Sequence, residues 1–290
     1  MITYNPKDWF RLIFQFHRSD TFRIVLPTMV LLGAATGGVV FLQQNGYAHI
    51  RTSTVFHQIL GFALSMLLVF RINTAYERWW EGRRLWGSLV NNSRSLISKL
   101  HACLATKTPH EFIFLRSVIA VFPSILRDHL RDIPFEVPPS EPFPKNREEY
   151  LRAEHKPLYA YSQIVAQIEK LRDSKVISDE QALLMNSEIF SLIDITGACE
   201  RIKNSPIPFS YSLFLKKSLF VYIITMPIPF SAEFGYWAIL AVMVIFYTFA
   251  SLELVSEEVE EPFGIEANDL PTDELAEKIY SDVMSIGTAR

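Results

Sequence analysis

Seven histidines (positions 17, 49, 57, 101, 110, 129 and 155) and two cysteines, Cys103 and Cys199, are the residues of this 290-residue chain best suited to ligate a borderline metal. No two histidines stand three or four residues apart, the spacing that sets two imidazoles on one helix face. Taken singly, each is a surface or hydrogen-bonded histidine, and the cysteines are small buried hydrophobes on helices. The H-E-x-x-H, G-x-S-x-G, phosphate-loop and G-x-G-x-x-G signatures are all missing. No catalytic residue is expected, and the chain does not read as an enzyme. Hard-cation chemistry has one candidate. Residues 253–269 hold seven acids (Glu253, Glu257, Glu258, Glu260, Glu261, Glu266 and Asp269) and no Lys or Arg. Ca²⁺ takes several carboxylate and carbonyl oxygens, but the spacing is not that of an EF-hand loop. A solvated acidic face is the other reading.

The elements that must carry these residues follow from composition. Lys plus Arg number 28 against 31 Asp plus Glu, a net charge of −3, which lacks the basic footprint of a nucleic-acid binder. Hydrophobic residues make 49% of the chain, yet charged residues still make 20%, so apolar blocks must alternate with polar ones. Uncharged apolar runs occupy 24–42, 52–70, 218–232 and 234–252. The first, second and fourth have close to the roughly 20 residues that a helix needs to cross a bilayer core, and the third is shorter. The third carries Pro227 and Pro229, which predict a kink or an early end. Four membrane helices are expected. Lys7, Arg11, Arg18 and Arg23 precede the first, Arg71, Arg78, Arg83 and Arg84 follow the second, and Lys216 and Lys217 precede the third. The 43–54 link carries only Arg51. By the bias of Lys and Arg toward the cytoplasm, both termini and the polar middle are cytoplasmic. The expected organisation is therefore a cytoplasmic N-terminal segment 1–23, membrane helices one and two in 24–70, a cytoplasmic helical body 71–215, membrane helices three and four in 216–252, and an acidic cytoplasmic C-terminal segment 253–290.

Within the body, 73–105 has no proline, and Leu85, Leu89, Leu96 and Leu100 recur at helical spacing, so one long helix continues out of the second span. Further helices are predicted over 110–132, 147–154, 157–174 and 178–203, with a proline-dense link at 133–144. Ser178 with Gln181 forms a capping box at the start of the last. No strand or internal repeat is evident. The fold class is all-α.

Phe62, Met66 and Phe70 recur at i, i+4 and i+8 on the second span and share one face. By spacing alone that face serves lipid contact or packing as readily as a pore wall. Gly61, Ala63 and Ser65 on other faces allow neighbouring helices to approach closely. The span is followed by Arg-Ile-Asn-Thr-Ala-Tyr-Glu-Arg-Trp-Trp-Glu-Gly-Arg-Arg-Leu-Trp-Gly (71–87). Further on stand Gly-Ala-Cys-Glu-Arg-Ile-Lys-Asn-Ser-Pro-Ile-Pro-Phe-Ser-Tyr (197–211) and Glu-Glu-Pro-Phe-Gly-Ile-Glu-Ala-Asn-Asp-Leu-Pro (260–271). These runs, with Trp9-Phe10 near the N-terminus, resemble the bestrophin family of pentameric ion channels over essentially the whole chain.

The resemblance implies a homopentamer around one axial pore in a bacterial inner membrane, passing monovalent ions passively across the lipid bilayer. It assigns Phe62, Met66 and Phe70 to a hydrophobic neck, where a ring of apolar side chains gates by dewetting. Counting back without gaps from Gly197 assigns the cytosolic aperture to Glu180, where the family usually has an apolar residue. Five Glu180 carboxylates would attract cations, repel anions and titrate as a coupled set. The alternative is a first-turn acid favoured by the helix dipole and by the Ser178 cap. Glu180 thus favours cation permeation, whereas animal relatives favour chloride. A membrane-anchored scaffold is the remaining alternative. An alternating-access carrier lacks support, because the spans show neither inverted repeats nor intramembrane charges. In animal bestrophins the stretch matching 258–269 is a calcium clasp. Glu258, Glu261, Glu266 and Asp269 fall on or beside its positions, though the run after Pro-Phe-Gly is thinned here, which makes any clasp vestigial.

Overall fold

Long stretches free of proline and rich in Leu, Phe, Ala and Met favour helix over strand, and the computed structural model is helical throughout. It describes residues 20–47, 53–138 and 141–287, and no strand occurs among them. The residues Lys7, Trp9, Phe10, Arg11, His17, Arg18, His49 and Arg51, named above, lie outside those ranges. The helices are α1 (Asp20–Gln44), α2 (Val55–Leu104), α3 (Pro109–Leu130), α4 (Arg147–Arg152), α5 (Lys156–Asp173), α6 (Asp179–Asn204), α7 (Phe209–Thr225), α8 (Pro227–Phe234), α9 (Trp237–Glu260) and α10 (Thr272–Ser285). They fall into two compact units. One comprises Met1–Trp79, Pro206–Glu261 and Glu266–Asn268, and the other Trp80–Ser205, Pro262–Ile265 and Asp269–Arg290.

The first unit contains α1, the N-terminal half of α2, and α7 to α9. Its core is Leu64 and Leu68 of α2 against Leu215, Leu219 and Tyr222 of α7, Met226, and Val242 and Phe249 of α9. Gly61 is required here, because a Cβ on it would lie 2.6 Å from the Tyr222 hydroxyl. The outward faces stay apolar: Ile24, Leu31, Phe41, Phe56, Phe220 and Trp237 are all exposed. Large apolar side chains left outside a packed unit need a non-aqueous neighbour. The third apolar helix differs from expectation. It begins at Phe209 rather than near 218, carries Lys216 and Lys217 within it, and stops at Thr225, where Pro227 opens α8. The two prolines thus divide the run, since a proline at the first helical position starts a helix more easily than it continues one.

The second unit is built around α3. This helix is apolar and long enough to cross a membrane by composition, but Leu115, Val118, Ile119, Phe122, Ile125 and Leu126 are fully buried within the unit. It is therefore a core helix. α5, α6 and α10 pack around it, and His101 near the end of α2 meets the Phe112 ring. The body helices lie close to prediction, with α3, α4, α5 and α6 each beginning and ending within two residues of the expected bounds. α6 opens on Ser178, whose hydroxyl accepts the Gln181 N–H while the Gln181 side chain accepts the Ser178 N–H, and α2 runs unbroken into the body. The sequence reading did not anticipate α10, which buries Ala276, Ile279 and Val283. It is held by Arg94 to Asp282 at 2.5 Å and by the Tyr280 hydroxyl donating to Glu141 at 2.8 Å.

Candidate functional site

Phe62, Met66 and Phe70 share one face of α2, in the first unit. They are 73%, 52% and 55% exposed, whereas Leu64 and Leu68 are 2% exposed. At about 100° per residue, Leu64 lies about 200° round the helix from Phe62, so one face packs and the opposite face is bare. The Ser65 and Thr74 hydroxyls are satisfied by the Gly61 and Phe70 carbonyls, four residues back. The bare face therefore presents phenyl and thioether groups with no charge, and its chemistry is limited to excluding water and ions.

The first charge after Phe70 does not join this surface. Arg71 is buried, and its guanidinium faces three acids spaced along one side of α9. It donates to Glu253 and reaches Glu260 at 3.6 Å and Glu257 at 3.9 Å. Lys216 of α7 takes Glu257 as well, and Glu260 also accepts the Ile207 N–H at 2.8 Å. Burying a lone guanidinium is costly, whereas a paired and hydrogen-bonded one is tolerated. Three acids of the acidic stretch are thus engaged in holding helices together.

In the second unit, Glu180 stands in the first turn of α6, exposed, beside exposed Leu183 and Leu184. Its carboxyl is held below the ordinary glutamate value by the Ser178 hydroxyl, then by its own backbone N–H. The surrounding groove is also lined by Lys107, Arg172 and Lys175, so the local field is mixed.

The four acids matched to the calcium clasp stand in different surroundings. Glu258 accepts from the Asn268 side chain, Glu261 and Glu266 are exposed, and Asp269 is buried. Their side chains make no group of three able to share one ion among the described residues. The group that does so was missed at the sequence level: His129, His155 and Glu200. Their positions, on three separate helices or helix ends, carry no local spacing that could have revealed them.

A family model described as bacterial/fungal bestrophin protein matches residues 1–285. The chain belongs to the bestrophin family. The voltage-dependent anion channel-forming protein YneE of Escherichia coli K12 is 30% identical to it over 290 residues, 99% of this chain and 94% of that one. The voltage-dependent anion channel-forming protein alr2987 of a Nostoc species is 29% identical over 286 residues, covering 97% and 92%. The crystal structure of a variant of a bacterial bestrophin homologue from Klebsiella pneumoniae has a TM-score of 0.81 at 25% identity, covering 91% of this chain and 99% of that one.

In this bestrophin the sequence runs that carry the resemblance meet inside the second unit. Arg201 donates to Glu81 at 2.6 Å, which joins the 197–211 run to the 71–87 run. Buried Phe263 of the Pro-Phe-Gly segment packs on Gly82, where a Cβ would lie 3.2 Å from the ring. Arg131 donates to the Phe263 carbonyl at 3.2 Å. These residues hold the bestrophin body together and are distinct from exposed Phe62, Met66, Phe70 and Glu180.

Proposed function

We propose that five copies of this chain surround one pore in a bacterial inner membrane and pass monovalent ions passively, with both termini and the second unit in the cytoplasm. The observation that carries the reading is the bare, uncharged face of Phe62, Met66 and Phe70 on a helix whose opposite face is packed. Such a face in a ring forms a neck that conducts when wetted and closes when dry. The sign of the permeant ion turns on Glu180. An exposed carboxylate held ionised by its Ser178 cap favours cations at the cytosolic aperture. The second reading is an anion channel, favoured by the names of the E. coli and Nostoc relatives.

The test is a reversal potential in a planar bilayer under a KCl gradient, using detergent-purified protein whose mass corresponds to five 33.4 kDa chains. The wild type is expected to give a cation-signed potential that collapses or inverts in Glu180→Ala. The Ser178 cap lowers the pKa of the Glu180 carboxyl within one chain, whereas like charges around a ring raise it, so the cation preference should fall as pH is lowered and the carboxylates are protonated. An anion-signed potential indifferent to Glu180→Ala would establish the second reading. A silent, well-folded monomer would instead point to a scaffold.

A further inference from the structure

We propose that His129, His155 and Glu200 form a binding site for a zinc-class divalent metal in the second unit. His129 lies in the last turn of α3, His155 is the residue that caps α5, and Glu200 is on α6. The Nε2 atoms of His129 and His155 lie 2.6 Å and 2.8 Å from the same Glu200 oxygen. The two imidazoles are stacked, with centroids 4.6 Å apart and planes 29° from parallel, so both present their Nε2 edge to one point. All three ligating atoms lie within 4.8 Å of one another. The side chains are 25%, 34% and 26% exposed, which leaves a solvent path for the ion and a water as fourth ligand. Two imidazoles and one carboxylate with an open position are a known zinc ligand set. The nitrogen donors select Zn²⁺, Co²⁺ or Ni²⁺ over Ca²⁺ and Mg²⁺, which prefer oxygen alone.

The hydrogen-bond network fixes the metal-free protonation pattern. His155 Nδ1 accepts the Leu158 N–H at 3.1 Å, so its proton is on Nε2 and is donated to Glu200. His129 donates to the same oxygen through Nε2. One carboxylate oxygen thus takes two N–H donors at the position where a metal would replace both protons. Coordination through Nε2 moves the His155 proton to Nδ1 and releases the Leu158 cap. The loss of one N-cap weakens binding about fivefold, a small fraction of what three ligands supply. Lys203, whose ammonium also reaches the His129 carbonyl at 3.5 Å, is already paired with Asp132 at 2.6 Å.

The capping role supplies a clean variant. Asparagine is among the best N-cap residues, so His155→Asn removes the ligand and keeps the helix start. Glu200→Gln keeps an acceptor for His129 and removes the anionic ligand. The experiment is equilibrium dialysis of the detergent-purified full chain against ZnCl₂, with thermal unfolding followed in parallel. Co²⁺ serves as the visible-absorbing probe. The wild type should bind one Zn²⁺ per chain, give a tetrahedral Co²⁺ spectrum and melt at a higher temperature with Zn²⁺ present. Each variant should bind at least about 100-fold more weakly, keep its metal-free melting temperature within a few degrees of wild type, and lose the Zn²⁺-induced rise. Sub-stoichiometric binding by the wild type, equal binding by the variants, or preference for Ca²⁺ would overturn the assignment. None of these readouts uses ion current, so they stand apart from the channel reading.

Discussion

At the scale of single residues, the contact between the α2 and Pro-Phe-Gly segments depends on a missing methyl group. A Cβ on Gly82 would lie 3.0 Å from Leu270 and 3.2 Å from the Phe263 ring, and both of those side chains are buried. Replacing a mid-helix glycine by alanine ordinarily stabilises by about 1 kcal/mol. Overpacking against rigid buried groups costs about 1–3 kcal/mol, and with two neighbours involved it wins. Gly82→Ala should therefore destabilise by about 1 kcal/mol, measured as a lower unfolding midpoint. A rise in the midpoint would show that Phe263 yields. Some of these residue-scale features were legible in the sequence. Ser178 and Gln181 announce their capping box by spacing, because both partners lie within one turn. His129, His155 and Glu200 announce nothing, because only the packing of α3, α5 and α6 brings them together.

At the scale of helices, the acidic run of α9 is explained by its partners rather than by its composition. Glu253, Glu257 and Glu260 fall at i, i+4 and i+7, one face of a helix, and that face meets Arg71. Arg71→Met should cost about 3–5 kcal/mol, because Glu253 and Glu260 would be left buried without their guanidinium. Adding Glu253→Gln to that variant should recover part of the loss. Denaturation of the two proteins in detergent reads the difference, and an Arg71→Met chain as stable as wild type would show that water replaces the arginine. The i, i+4, i+7 spacing was visible in the sequence, but its partner, 182 residues away along the chain, was not. The helix α10 was overlooked for a related reason. Its apolar positions 276, 279 and 283 are few, and they become a docking face only against the buried surface of the second unit. The early start of α7 at Phe209 places Lys216 mid-helix, where Glu257 neutralises it.

At the scale of the whole molecule, apolar surface is distributed as a membrane channel requires. The second unit buries its most apolar long helix, α3, while the first unit exposes its apolar helices. Run length alone does not separate these cases; what surrounds each run does. Among the exposed groups of the proposed neck, Met66 alone carries sulfur, and its side chain stands open at 52% exposure. Peroxide converts a thioether to a polar sulfoxide, and a ring of five sulfoxides would hold water where five thioethers shed it. Oxidised channels should therefore leak. The resting current should rise on treatment with hydrogen peroxide, fall again after reduction by methionine sulfoxide reductase, and stay unchanged in Met66→Leu. In that case the redox state of one side chain would set how tightly the closed pore seals.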